Sequence, residues 1–357
     1  MNIEQLPPIE VTHHVAHRPI WRRWFMLACA VFAILVLGTV ICTVRALGPV
    51  DPSSTRSIRF VVTSGETASA IATSLHEQGL IQQPFMFQMY TQLTGTKSKL
   101  QAGGYVLKPS YSVAQIVDHL TSGKTDEVSV TVLPGLTLEQ LADPEVKGSL
   151  AQQGFTKSEI AAALAVPYDG PLFAGKPTGG SLEGYVYPET YKIMANDPLD
   201  TVLRESFKEF YAQIQTRGIV EGLTRQQLSL RDGIILASIV GKEVSNPTDQ
   251  RQVAQVFLKR LHEGSVLGSD VTFLYIAHKE GRTPSVNDPS PYNTRRVAGL
   301  PPGPIANFNL SALQAVADPA PGDYLYFVAG DDGTTHFSKT EAEHLDNVAR
   351  YCKVLCQ

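Results

Sequence analysis

Residues 24–44 carry no Asp, Glu, Lys, Arg, His, Asn, Gln or Pro; beyond them, apolar positions recur only in short periodic bursts. Those 21 residues would rise about 30 Å as a helix, the thickness of one bilayer core. The only two tryptophans, Trp21 and Trp24, stand at its leading edge, where aromatic anchors belong. Arg18, Arg22 and Arg23 precede it and only Arg45 closely follows. The positive-inside rule therefore predicts a cytoplasmic tail at 1–23, a transmembrane helix at 24–44 and an extracytoplasmic remainder. A cleaved signal peptide competes, but its apolar region would be shorter, roughly 7–15 residues.

Residues 45–56 are rich in Pro, Ser and Gly and read as a linker. The pattern then predicts a strand at 57–63 and a helix at 66–77, with Ala68, Ile71, Ala72 and Leu75 on one face and Gly79 as its stop. A helix near 85–94, a strand at 103–107, a helix at 112–120 and an alternating strand at 127–133 come next. This is a small α+β module over 57–130. It has no cluster of acids, histidines or thiols and reads as a binding or spacer module. Residues 131–357 form a second, larger α+β domain. Thr224 and Gln227 have capping-box spacing, which predicts a helix through 228–242. A second helix is expected at 248–263, with Val253, Val256, Phe257 and Leu261 inward and Gly264 after it. A strand at 324–329, a turn at 330–333 and a pairing strand through His336 and Phe337 complete the pattern.

Composition narrows the function. A formal net charge of −4 argues against nucleic acid as a partner. With 43% hydrophobic and 18% charged residues, the chain is not disordered in bulk. Cys29 and Cys42 lie inside the apolar segment, whereas Cys352 and Cys356 read as free or as a terminal disulfide. No GxSxG elbow, Walker loop, HExxH or GxGxxG occurs, and His336 and His344, eight apart, lack a metal spacing. No cofactor and no metal are expected.

Glu243 is the residue that suggests chemistry. It ends the predicted helix and shares a face with Val240, Ile239 and Leu236. Burial and the negative helix end both disfavour its anion, so it can hold a proton near neutral pH, as a general acid must. The competing reading is a glutamate that reaches out to water. Residues 182–191 place three tyrosines and two carboxylates together. They read either as a packed strand or as the wall of a sugar cleft.

The ordered series LEGYVYPETY, ASIVGKE, VFLKRL, GSDVT, SPYNT, GLPPGPI, YLYFVA and HFSKTEAEH, within 57–350, resembles the MltG (YceG-like) family of endolytic murein transglycosylases. The resemblance implies a LysM-like region at 57–130 and a YceG-like catalytic domain at 131–357. It implies Glu243 as the catalytic acid, acting next as base. The reaction would cleave MurNAc–GlcNAc β-1,4 bonds of nascent peptidoglycan, with the sugar's own C6 hydroxyl as nucleophile and a 1,6-anhydroMurNAc end as product. An intramolecular nucleophile removes the need for the second carboxylate that ordinary glycosidases use. Ser269, Asp270, Thr272, Tyr292, Asn293, Tyr187 and Glu189 are the expected glycan-cleft residues. The implied setting is the bacterial inner membrane with a periplasmic catalytic domain, in company with penicillin-binding proteins or other cell-wall synthases. Gly241, Lys259, Gly268 and Arg295 depart from residues common in the family. Two rivals stay open: a weakly active peptidoglycan-binding scaffold, and a hydrolytic muramidase with Asp270 or Glu183 as second carboxylate.

Overall fold

A computed structural model describes residues 20–354. Most of the expected cytoplasmic tail, Arg18 included, and Cys356 lie outside the described residues. The chain mixes helix and sheet and divides into two compact units, the first helical and the second carrying the strands.

The first unit covers 20–56, 65–101 and 107–122. It opens with α1 (Ile20–Leu47), which runs through the first positions expected as linker. Its segment Trp24–Leu47 is unburied and has a mean hydropathy of 2.8; among the described residues it is the one helix long and apolar enough to cross a membrane. Three amphipathic helices come after it: α2 (Ala68–Glu77), α3 (Pro84–Leu93) and α4 (Val113–Ser122). Thr67 caps α2 by accepting the Ala70 N–H. Ile71, Leu75, Phe87, Ile116 and Leu120 are buried, as the 3.6-residue period requires.

The second unit covers 57–64, 102–106 and 123 onward. Its first two strands, β1 (Ile58–Val62) and β2 (Gly103–Leu107), pair with each other. β3 (Glu127–Thr131) runs antiparallel to β4 (Thr190–Met194), with Val130 opposite Tyr191. Between them lie α5 (Leu138–Ala142) and α6 (Lys157–Ala165), each closed by a complete capping box. The expected Tyr-rich strand at 182–191 is corrected: only its last two residues join a strand. Pro188 lacks the N–H that a ladder needs, and Gly184 turns at φ 77°, where a Cβ would meet Pro304 at 2.5 Å.

From residue 199 to residue 317 the regular structure is helical: α7 (Leu199–Thr216), α8 (Ile219–Arg225), α9 (Leu230–Glu243), α10 (Pro247–His262), α11 (Asp270–Lys279) and α12 (Leu310–Ala317). The expected start at Thr224 is also corrected. Gln227 has φ 61°, which breaks the helix, and Ser229 caps α9 by accepting the Asp232 N–H. Thr224 instead bonds back to the Val220 carbonyl within α8. Asn246 caps α10 by accepting the Thr248 N–H, with Pro247 in the first turn. α9 is buried along Ile234–Val240 and packs with α10 and α12 as the core of the unit. Gly241 faces Phe308, whose Cβ would lie 3.0 Å from an added Cβ. The chain closes with the hairpin β5 (Tyr326–Ala329) and β6 (Thr335–Ser338), then α13 (Glu341–Tyr351). Cys352, at its end, is buried and disulfide-bonded.

Candidate active site

α9 ends at Glu243, where the Val244 N–H closes the last turn on the Val240 carbonyl. The next two residues lead straight into the cap of α10, so Glu243 sits at a corner between two packed helices. Its carboxyl is half-buried, and Oε1 accepts a 2.5 Å hydrogen bond from the Ser269 hydroxyl.

Ser269 is held by a knot of buried hydroxyls. Its N–H donates to Thr294 Oγ1 at 3.2 Å. Its carbonyl accepts from the Thr272 hydroxyl at 2.8 Å and the Thr294 hydroxyl at 3.2 Å. Ser269, Thr272 and Thr294 are at most 2% exposed, so these bonds do not compete with bulk water. Gly268 makes the entry turn at φ 72°, where a Cβ would stand 2.9 Å from Nη1 of Arg260. Glycine fits both demands.

Asp270 opens α11 and forms an ion pair with Arg295, both half-exposed. Arg260 donates to the carbonyls of Leu325 (2.8 Å) and Leu267 and lies over the Tyr326 ring at 5.4 Å. These groups border a cavity of about 620 Å³ lined by Glu243, Asp270, Arg295, Arg260, Tyr326 and His344, among others. Burial raises the Glu243 pKa, and the Asp270 charge adds to it; the Ser269 hydrogen bond and the two guanidiniums oppose. A carboxyl whose pKa is raised in a cleft is a candidate proton donor.

The other expected cleft residues divide. Asn293 is fully buried and builds its loop: its amide donates to the carbonyls of Val286 and Asp288 at 2.9 Å each, and Oδ1 accepts the Arg295 N–H. Tyr292 packs on Tyr275 with ring centres 5.5 Å apart. Tyr187 stacks on Phe210, and its carbonyl accepts the Tyr191 hydroxyl. Glu189 is exposed and accepts the N–H of neighbouring Thr190. None of these four lines the cavity that holds Glu243. Thr294, Arg260 and Tyr326 carry no sequence expectation at this site, and His344 enters the sequence reading only as half of a histidine pair without metal spacing. Their signal was membership of the SPYNT, VFLKRL, YLYFVA and HFSKTEAEH segments, but no local pattern says that these converge.

Glu183, 4% exposed, does not line that cavity either. Its carboxyl accepts the Leu138 N–H at 3.1 Å and, from Tyr275, a 3.4 Å hydroxyl bond. Burial lifts its pKa to about 7, against the Leu138 hydrogen bond and the Lys279 charge. The folded state therefore favours the protonated acid. The stability this brings is complete below the unfolded pKa and is lost as pH rises through about 7. Glu183→Gln should gain on the native protein by up to about 3 kcal/mol at roughly pH 8 and by nothing near pH 4. Thermal melts across pH check this, and a pH-independent difference between the two proteins would refute it.

Fold and site together define an α+β protein with a glutamate of raised pKa at a cleft between packed helices. The chain belongs to the YceG-like family, whose sequence profile matches residues 60–350. It is 32% identical over 336 residues to the endolytic murein transglycosylase of Bacillus subtilis (strain 168), covering 87% of this chain and 89% of that one. It is 27% identical over 342 residues to the endolytic murein transglycosylase of Streptococcus pneumoniae serotype 2, covering 86% of this chain and 60% of the relative. A crystal structure of a yceG-like protein from Listeria monocytogenes superposes with a TM-score of 0.52 at 30% identity, over 82% of this chain and 99% of that one.

Proposed function

We propose that this protein is an endolytic peptidoglycan lytic transglycosylase. It cleaves MurNAc–GlcNAc β-1,4 bonds of nascent glycan strands, leaves 1,6-anhydroMurNAc ends and so terminates elongation. The observation that carries this reading is the Glu243 carboxyl, biased toward its protonated form by burial, held by a serine and facing a cavity large enough for a sugar. Glu243 protonates the leaving glycosidic oxygen, and the Ser269 hydroxyl stabilises the carboxylate that results. Thr272 and Thr294 hold Ser269, and Asn293 holds their loop. Asp270 and Arg295 stand at the cleft as a closed ion pair, while Glu183 is spent on Leu138 and Tyr275. Neither carboxylate is free to activate water, which favours the sugar's C6 hydroxyl as nucleophile over a muramidase mechanism.

The same reading extends to the whole chain. α1 is a single-pass anchor in the bacterial inner membrane, with residues 1–23 cytoplasmic and the catalytic domain, 131–357, periplasmic. Residues 57–130 are a LysM-like glycan-binding module. The protein works on strands as penicillin-binding proteins or other synthases extend them.

The test uses full-length protein in detergent with uncrosslinked glycan strands, the new ends being weighed by mass spectrometry. Ends lighter by one water are expected. Hydrated reducing ends would replace this reading with a muramidase, and binding without cleavage would replace it with a scaffold.

A further inference from the structure

Among the titratable side chains of the cavity is a histidine to which the mechanism above gives no task. His344, on α13, lines the same cavity of about 620 Å³ as Glu243. Its ring stacks on Tyr326 at 5.3 Å and 22°, so its orientation is set by packing. Nδ1 is buried and makes no hydrogen bond among the described residues. The charged groups about it are Arg260 from α10 and Glu341 on its own helix, with Tyr326 facing it from β5. Glu243, Glu263, Asp270 and Arg295 complete the ionisable lining of the cavity.

Burial, then the Arg260 charge, holds the imidazole below its ordinary pKa, against the pull of Glu341. Burial moves Glu243 the other way. One cavity therefore contains a carboxyl biased toward its protonated form and an imidazole biased toward its neutral form, with one ring nitrogen open to accept a proton. Two groups in one site pushed in opposite directions are how an acid and a base are told apart.

We propose that His344 is the base of the reaction, receiving the proton of the attacking hydroxyl while Glu243 protonates the leaving oxygen. The proposal rests on the transglycosylase reading of this cavity and divides between two residues what the family resemblance assigns to Glu243 alone. The bond from MurNAc C1 to the bridging O4 breaks with its electron pair going to O4, which takes the Glu243 proton. The C6 hydroxyl oxygen gives a pair to C1, forming the C1–O6 bond, and its proton passes to His344. Proton exchange with solvent returns the imidazolium and the carboxylate to their starting forms. No water is consumed and no oxidant is needed.

The experiment measures kcat and KM for glycan-strand cleavage by the full-length protein in detergent, across about pH 4.5–9. Wild type, His344→Gln and His344→Phe are compared, with melting curves for each. In the wild type, activity is lost on the acid side as His344 gains a proton and on the alkaline side as Glu243 loses one. His344→Gln should lower kcat about 10²-fold with little change in KM, and should lose the acidic limb while keeping the alkaline one. His344→Phe, which keeps a ring against Tyr326, should be equally slow. If either variant keeps wild-type kcat, or if the acidic limb survives in His344→Gln, the proposal is overturned. A change confined to KM or to the melting temperature overturns it equally, because it assigns His344 to packing or binding. A wild-type protein that cleaves no strand would instead refute the transglycosylase reading itself, so the two failures are separable.

Discussion

Glu243→Gln is expected to slow glycan cleavage 10²–10⁴-fold, equivalent to about 3–5 kcal/mol of barrier, with no loss of fold. Glutamine has nearly the same shape and still offers Oε1 to the Ser269 hydroxyl, so the 2.5 Å contact has no steric reason to break. It cannot donate a carboxylic proton to a departing oxygen. It also removes a group whose ionised form the fold disfavours, so the melting temperature should hold or rise at alkaline pH. Single-turnover rates on isolated strands, with melting curves, check both halves. A variant that cleaves at the wild-type rate would remove Glu243 from the chemistry.

Ser269→Ala is expected to lower kcat about 10–100-fold, since hydrogen bonds to charged groups contribute roughly 1.5–3 kcal/mol. The Ser269 hydroxyl favours the ionised form of Glu243, the form that exists just after proton transfer. Without it that state is less stable and the Glu243 pKa rises further. The alkaline limb of the rate profile should therefore move to higher pH even as the maximum falls. A pH series on the variant separates this role from direct glycan contact. If Ser269 served the glycan instead, KM would rise while kcat and the alkaline limb stayed in place.

Several elements could be read directly. The apolar run at 24–44 became the core of α1, because a segment with no charged or amide side chain, whose Thr39 and Thr43 hydroxyls bond to their own helix, has only one kind of partner to seek. α2 and α10 were predicted from periodicity and stop signals close to their observed ends. Glu243 stood out because its aliphatic neighbours at Val240, Ile239 and Leu236 lie on the same helix. Errors arose where two local signals competed. Thr224 and Ser229 both offer capping spacing, and the left-handed turn at Gln227 decides for Ser229. The tyrosines of 182–191 left cleft and core open; Tyr185 is almost fully buried and Tyr187 lies on Phe210, which is core packing.

Sequence alone determined the apolar helix, the three short helices α2, α3 and α4, the approximate extents of α9 and α10, and the terminal hairpin. Each of these depends on residues within a few turns of one another, where spacing translates directly into a shared face. Only the tertiary structure decided what surrounds Glu243. Ser269 reaches Glu243 across 26 positions, Thr294 pins Ser269 across 25, and Arg260 bonds Leu325 across 65. Such contacts form only when packing of α9, α10 and α12 has offset the entropy of closing the intervening loops. No local period records them, so the hydroxyl knot behind Glu243 and the histidine in its cavity become visible only once the chain is folded.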